Sequence, residues 1–228
     1  MIHSLFRAFS RRAREKRAKL FRDSFVLDEN TRIIDLGSES GDNIHGVLRG
    51  TPVRPQNVYI ADIRPQLIAQ GHAKYGYVPV LVDEAAPLPF PDGYFDIVFC
   101  SSVIEHVTLP KKEIWREYSG RRFRERSRQR QIEFAREIAR LGRQFFVQTP
   151  YRHFPIEPHS WLPFVAWLPR WALLPVLRLS HVVWVTRTNP DWYLLDKREM
   201  AETFRDARLL EEKCLGLTKS LMAVKSAS

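Results

Sequence analysis

Short apolar runs recur along the chain with more polar, helix-periodic segments between them, and their spacing sets the architecture. Residues 32–36, 57–61, 78–82, 95–100 and 144–148 read as strands at intervals suited to βαβ units. Residues 42–49 and 65–75 read as the intervening helices, whereas 83–94 is rich in proline and reads as loop. Residues 111–141 predict a long helical stretch interrupted near Ser119 and Gly120, with Ile132, Ala135, Ile138 and Ala139 forming an apolar stripe along its second half. Strands joined by crossover helices imply a mainly parallel sheet with right-handed connections. Near the C-terminus, residues 197–206 read as a helix, and runs 208–214 and 218–224 flank Gly216 as a hairpin. The expected fold is therefore α/β, with a seven-stranded, mostly parallel sheet that ends in an antiparallel edge.

Two segments fall outside that pattern. Residues 7–22 alternate basic and apolar positions, among them Ala13, Ala18, Leu20 and Phe21, and predict an amphipathic helix. Between Pro150 and Trp192 the composition changes: four tryptophans (Trp161, Trp167, Trp171, Trp184) crowd together with Pro155, Pro158, Pro163, Pro169 and Pro175. Residues 161–185 are apolar enough to raise the question of a membrane span. Their three prolines, with Arg170, Arg178 and His181, argue against one, because each break leaves backbone groups that need partners. The expected organisation is a basic helix (1–30), a core (31–150), an aromatic cap (151–192) and a C-terminal helix and hairpin that completes the core (193–228).

Charge changes the picture by being uneven. Of the net +10, residues 1–22 supply +7 (eight Lys/Arg, one Glu) and residues 110–143 another +7 (twelve Lys/Arg, five Glu), so the remainder sums to −4. Such patches suit a phosphate-rich partner or an anionic membrane face, or are simply solvated helix surface. Cys100 and Cys214 lie far apart in apolar runs, so no disulfide framework is expected and a reducing compartment fits better. No CxxC or paired-histidine spacing marks a metal site. No secretory signal is evident at Met1, and the expected location is cytoplasmic, with peripheral contact at the inner membrane face.

The chemistry concentrates after the strands. Asp35 and Leu36 lead into a loop, Gly37-Ser38-Glu39-Ser40-Gly41, in which the glycines permit positive φ or close approach of a ligand. Asp62 follows the second run, Asp83 and Glu84 the third, and Ser101 and Ser102 the fourth; ligands of open parallel sheets collect at these ends. The loop lacks G-x-G-x-x-G, and Val47 follows Gly46 where a P-loop needs lysine, so neither phosphate-binding reading survives. An acidic, glycine-flanked loop suits a cofactor with a positively charged portion. A carboxylate at Asp62 suits a ribose diol.

In order, these features are Ile33-Ile34-Asp35-Leu36-Gly37 with Gly41, Tyr59-Ile60-Ala61-Asp62, Leu88-Pro89-Phe90-Pro91-Asp92 with Phe95-Asp96-Ile97-Val98, and Ile104-Glu105-His106-Val107. Together they resemble the class I S-adenosylmethionine-dependent methyltransferases, of Rossmann-like fold, over roughly residues 30–149 and the terminal hairpin. Residues 146–159 also resemble a subgroup associated with bacterial polysaccharide and envelope genes. The resemblance implies S-adenosylmethionine as cofactor, with Asp35, Leu36, Gly37, Ser38 and Gly41 around its methionine portion. It places Asp62 on the ribose, Ile63 against the adenine, Asp83 and Glu84 at the adenine amino group and Ser101 beside the sulfonium. Glu39 departs from the pattern, standing where the family has a middle glycine.

The function expected is O-methylation of a sugar, glycan or other small-molecule hydroxyl. The alternatives are RNA methylation and a catalytically silent scaffold at the membrane. A hydroxyl acceptor needs its proton removed, and His106, His153 and His159 are the candidates, with Glu157 placed to orient His159. Aromatic side chains of the cap suit a sugar ring or the bilayer interface, and Arg170 and Arg178 a lipid-linked pyrophosphate.

Overall fold

The computed structural model describes residues 2–83, 86–184 and 186–227, with side chains from residue 13 onward and without that of residue 183. Seven strands, β1 (Ile33–Leu36), β2 (Val58–Asp62), β3 (Val78–Leu81), β4 (Phe95–Ser101), β5 (Gly142–Pro150), β6 (Arg208–Cys214) and β7 (Leu217–Lys225), lie in one sheet of order β3-β2-β1-β4-β5-β7-β6. The helices are α1 (Ile2–Ser24), α2 (Asp42–Val47), α3 (Pro65–Tyr75), α4 (Lys111–Ile114), α5 (Gly120–Leu141), α6 (Arg170–Val183) and α7 (Lys197–Thr203). The expected seven-stranded, Rossmann-like sheet is present. The chain divides into two compact units: residues 1–101, 138–147 and 224–228, and residues 102–137 with 148–223.

In the first unit β1 pairs in parallel with β2 and β4, and β2 with β3; Ile33 stands opposite both Val58 and Ile97. Every residue of β1 is buried, as a parallel strand covered on both faces requires. Ile33, Ile34, Ile60, Ile97 and Val98 form the core of this unit. Phe21 of α1 joins it, meeting Phe99 and Phe146 edge-on at centroid distances of 5.4 and 5.6 Å. The basic N-terminal helix is thus seated by its apolar face, with Ala13 and Ala18 also buried. Helix α3 has the residues its ends demand: Pro65 in the first turn, where its missing N–H costs nothing, and Gly76 in the left-handed conformation (φ 74°) at the C-terminus.

In the second unit β6 and β7 turn back on each other through Leu215 and Gly216 (φ 50° and 82°), the geometry of a two-residue hairpin. Helix α5 turns Phe123, Ser127 and Gln131 inward. The aromatic segment folds around α6, whose Leu173 and Leu177 pack with Val165, Trp192 and Leu194. Its other face leaves Trp171, Leu179 and Val182 exposed. Among the described residues no helix is long and apolar enough to cross a membrane. Arg170 corrects an expectation. It is buried, donates to the carbonyls of Ile114, Glu117 and Pro190, and lies 3.5 Å from the Phe123 ring centroid. Burial lowers its pKa to about 10. It is an internal strut, not a surface charge for a pyrophosphate.

Candidate functional site

The loop after β1 is held from both sides. Backbone N–H groups of Gly37 and Ser38 both donate to the Ala61 carbonyl, at 2.8 and 3.2 Å. Gly37, Glu39 and Gly41 all take positive φ (71°, 53° and 74°), so three residues in five bend the chain the way L-residues resist. A Cβ on Gly71 of α3 would lie 2.6 Å from the Ser40 carbonyl oxygen and 2.5 Å from Ile60 Cδ1. The helix therefore lies directly against the loop. Reading the sequence did not single out Gly71, although a glycine inside a helical pattern was the available signal.

Asp62 is the last residue of β2, one position earlier relative to the strand end than expected. Its carboxylate accepts from the backbone N–H groups of Glu39 and Arg64, each at 3.0 Å, and from Arg64 Nε at 3.0 Å and Nη2 at 3.2 Å. Burial opposes its ionisation, but these donors outweigh it and hold the carboxyl below its ordinary value. The same Arg64 Nη2 donates to Glu39 Oε1 at 3.1 Å. Glu39 therefore points its charge at a cation, and its backbone serves Asp62.

Asp35 is buried beneath the loop. Burial first, and the Asp62 charge second, push its carboxyl well above the ordinary range. Its Oδ2 has no hydrogen-bond partner, and neither has the buried Ser38 Oγ. A buried polar atom without a partner carries a desolvation cost and points to a missing ligand. An orphan carboxylate oxygen and an orphan hydroxyl suit the ammonium and carboxylate ends of an amino-acid moiety. Leu36 and Gly41 bracket the same loop. Ile63 is exposed immediately after β2, Asp83 is exposed after β3 with its carbonyl accepting from Ala86 N–H, and Ser101 closes β4. Glu84 lies outside the described residues.

A second cluster occupies the other unit. Glu105 and His106 sit in a short 3-10 turn (Ile104–His106) that follows β4. Tyr193 N–H donates to the Glu105 carbonyl at 2.7 Å, and Gln131 Nε2 bridges the Ile104 and Tyr193 carbonyls at 3.0 Å each. Glu157 and His159 follow β5. His106 Nε2 and His159 Nε2 stand 3.0 Å apart. His159 Nδ1 lies 2.5 Å from Glu157 Oε1, and His106 Nδ1 lies 3.5 Å from Asp191 Oδ1. Ser160 donates to Glu157 Oε2 through both N–H and hydroxyl, at 2.6 Å each.

Burial acts against ionisation of Glu157, yet its hydrogen bonds with His159 and Ser160 win and lower its pKa. Burial raises that of Glu105, against the pull of the two imidazoles. For His159 burial favours the neutral ring, but Glu157, Glu105 and Asp191 raise its pKa overall. Two of the three candidate histidines thus come together. His153 does not: it is exposed and packs edge-on against Tyr151. Asp191, more than eighty residues along the chain from His106, was not anticipated.

Beside this cluster, in the same unit, a cleft of about 490 Å³ is lined by Phe123, Arg124, Arg152, Trp167, Trp192 and Tyr193 among others. His153 also lines it. Trp192 lies parallel to the His159 ring at 6.4 Å, and its buried indole N–H has no acceptor.

Residues 34–119 match the family model described as "Methyltransferase domain". Over that stretch the chain is similar to a methyltransferase domain. Its Rossmann-like fold resembles that of S-adenosylmethionine-dependent methyltransferases, and the orphan groups at Asp35 and Ser38 fit that cofactor. No curated protein sequence matches the chain. Among solved structures, a SAM-dependent methyltransferase from Aquifex aeolicus is 13% identical at a TM-score of 0.50, covering 91% of this chain and 87% of that one. A possible exported protein from Bordetella parapertussis is 11% identical at 0.59, covering 96% and 68%. The [4+2]-cyclase SpnF is 15% identical at 0.51, covering 86% and 58%. At such identities these likenesses speak for the fold alone. The matched stretch runs from within β1 through β4 and the turn bearing Glu105 and His106, and the Glu157–His159 pair lies beyond it.

Proposed function

We infer that the methyltransferase domain transfers a methyl group from S-adenosylmethionine to a hydroxyl oxygen of a sugar, glycan precursor or similar small molecule. The observation that carries the hydroxyl reading is the convergence of Glu105, His106 and His159, with each ring oriented through Nδ1 by a carboxylate. In the step, the acceptor O–H bond breaks and its proton passes to water, a new O–CH₃ bond forms and the S–CH₃ bond breaks. S-adenosylhomocysteine leaves. In-line displacement from a sulfonium gains most from alignment, which a rigidly held loop and strand end can supply.

On the cofactor side, Asp62 would accept from the ribose hydroxyls, Asp35 and Ser38 would meet the methionine portion, Ile63 and Asp83 the adenine, and Ser101 the sulfonium. The aromatic cleft favours a sugar over a purely apolar acceptor. It combines flat rings with arginines and an unpaired indole donor, groups that stack on and hydrogen-bond to a polyhydroxylated ring. The exposed Trp171, Leu179 and Val182 would rest on an anionic membrane face that presents a lipid-carried acceptor.

The test is transfer of isotopically labelled methyl from S-adenosylmethionine to a panel of nucleotide sugars, lipid-linked oligosaccharides and tRNA, with the product linkage read by NMR. An O-methyl ether on a sugar is the expected product. Label entering only the tRNA, or an N-methyl product, would overturn the reading.

A further inference from the structure

Each imidazole of the cluster has its tautomer fixed from outside. Glu157 is an acceptor, already receiving N–H and O–H hydrogens from Ser160 and His159, so the hydrogen shared with His159 sits on Nδ1. Asp191 faces His106 Nδ1 in the same sense. Both rings then present Nε2 lone pairs, and these meet at 3.0 Å. Two acceptors that close repel unless a cation lies between or beside them.

The third wall decides what kind of cation. Glu105 is fully buried; Thr149 Oγ1 donates to its Oε2 at 3.0 Å, but Oε1 accepts no hydrogen bond. That orphan oxygen is 3.8 Å from His159 Nε2. A single proton shared between the imidazoles would satisfy the two nitrogens and leave Oε1 stranded. A metal ion satisfies all three.

We propose that Glu105, His106 and His159 form a site for one divalent transition-metal ion, zinc by preference, with a fourth position open to an oxygen ligand. Among the described residues this is the one group of three such side chains whose ligand atoms lie within 4.8 Å of one another. Two imidazoles with a carboxylate are a known catalytic zinc donor set, with Zn–N near ~2.0–2.1 Å and an open fourth position. Two nitrogens on one tetrahedral ion stand roughly 3.3 Å apart at those bond lengths, close to the separation seen here. Glu157 and Asp191 are the outer carboxylates that orient metal-bound histidines. The site is absent from any sequence spacing because its ligands come from two loops and one of their supports, Asp191, from a third. An ion there would lower the pKa of a bound hydroxyl and so ease loss of the acceptor's proton to water. That role rests on the hydroxyl-methylation reading, whereas metal binding does not.

The test uses the full-length chain, stripped with chelator and titrated with Zn²⁺ and Co²⁺ by calorimetry, without methyl donor or acceptor. One ion per chain is expected, with a tetrahedral Co²⁺ visible spectrum. The double variant His106→Ala/His159→Ala should lose affinity at least about 100-fold, while Glu157→Gln or Asp191→Asn should lose about 10–100-fold. His153→Ala should bind like the parent. Imidazole ¹⁵N NMR of the unmodified chain guards against a variant that misfolds: Zn²⁺ should shift the resonances of two histidines of the seven. Stoichiometric binding unchanged in the double variant, no binding at all, or a single strongly deshielded proton shared by the rings without metal uptake would each overturn the site. Because cofactor titration is read without metal, failure here is distinct from failure of the methyl-transfer reading.

Discussion

Arg64 joins Glu39 to Asp62: one guanidinium nitrogen lies 3.1 Å from the Glu39 carboxylate and 3.2 Å from that of Asp62, while Nε holds the other Asp62 oxygen at 3.0 Å. Both Asp62 oxygens are thereby occupied, although they are the acceptors that the proposed ribose contact would use. Glu39, with its side chain in a left-handed backbone position, braces the arginine in that place. On the proposed reading, the residue that breaks the glycine pattern is part of a latch over the ribose site.

Glu39→Gly should open the latch. The substitution removes the brace and relieves left-handed strain, for which a non-glycine residue costs about 1–2 kcal/mol. Affinity for S-adenosylmethionine should rise about three- to tenfold, read by calorimetry. Weaker binding would show that the Glu39 carboxylate itself contacts the cofactor.

Gly71→Ala should act in the opposite direction. The added Cβ meets backbone at Ser40 as well as Ile60 Cδ1, and backbone cannot swing aside as a side chain can. Overpacking of this kind costs typically ~1–3 kcal/mol. Thermal unfolding should begin several degrees lower, and cofactor affinity should fall by more than the stability loss explains, because the loop itself is displaced. A variant with unchanged melting and affinity would place the helix farther from the loop.

Cofactor affinity should depend on pH through Asp35. Its folded-state pKa is raised, so in the free protein the carboxyl keeps its proton above the pH at which an unfolded aspartate ionises. That contribution favours the fold at low pH and fades as pH rises through the folded value. A cationic ligand favours the ionised form, so binding should release a proton and tighten as pH rises toward and past that value. Calorimetry in two buffers of different ionisation enthalpy checks this: proton release is expected, and uptake would contradict it.

The hairpin offers a gain in stability. Leu215 occupies a left-handed turn position and is almost fully exposed, so it carries strain without burial in return. Leu215→Asn, a residue that tolerates this conformation, should stabilise by about 0.5–1 kcal/mol in a urea titration. A loss of stability would mean that the leucine is covered in solution.

How much of this the sequence disclosed follows from the range of each interaction. Helix α3 was legible to the residue because Pro65 and Gly76 encode its ends locally. The strands were found because buried parallel strands are continuous apolar runs, and the hairpin because Gly216 sits between two of them. The loop after β1 was legible as a glycine turn, and Asp62 as a strand-end carboxylate. The latch was not, since nothing marks Arg64 among 36 Lys/Arg until its side chain is seen folded back. The His106–His159 contact spans 53 residues, and Arg170 looked like surface charge until three carbonyls were found around it. Tertiary partners of long polar side chains are chosen by the fold, and periodicity carries no record of them.

The central claim is that the Asp35–Gly41 loop and Asp62 bind S-adenosylmethionine, and calorimetric titration of the chain and its Asp62→Ala variant tests it most directly. Micromolar binding of S-adenosylmethionine and S-adenosylhomocysteine is expected, weakened at least about 30-fold by the substitution, as follows from losing hydrogen bonds to a charged acceptor at ~1.5–3 kcal/mol each. No binding at millimolar ligand, or equal affinity in the variant, would contradict it.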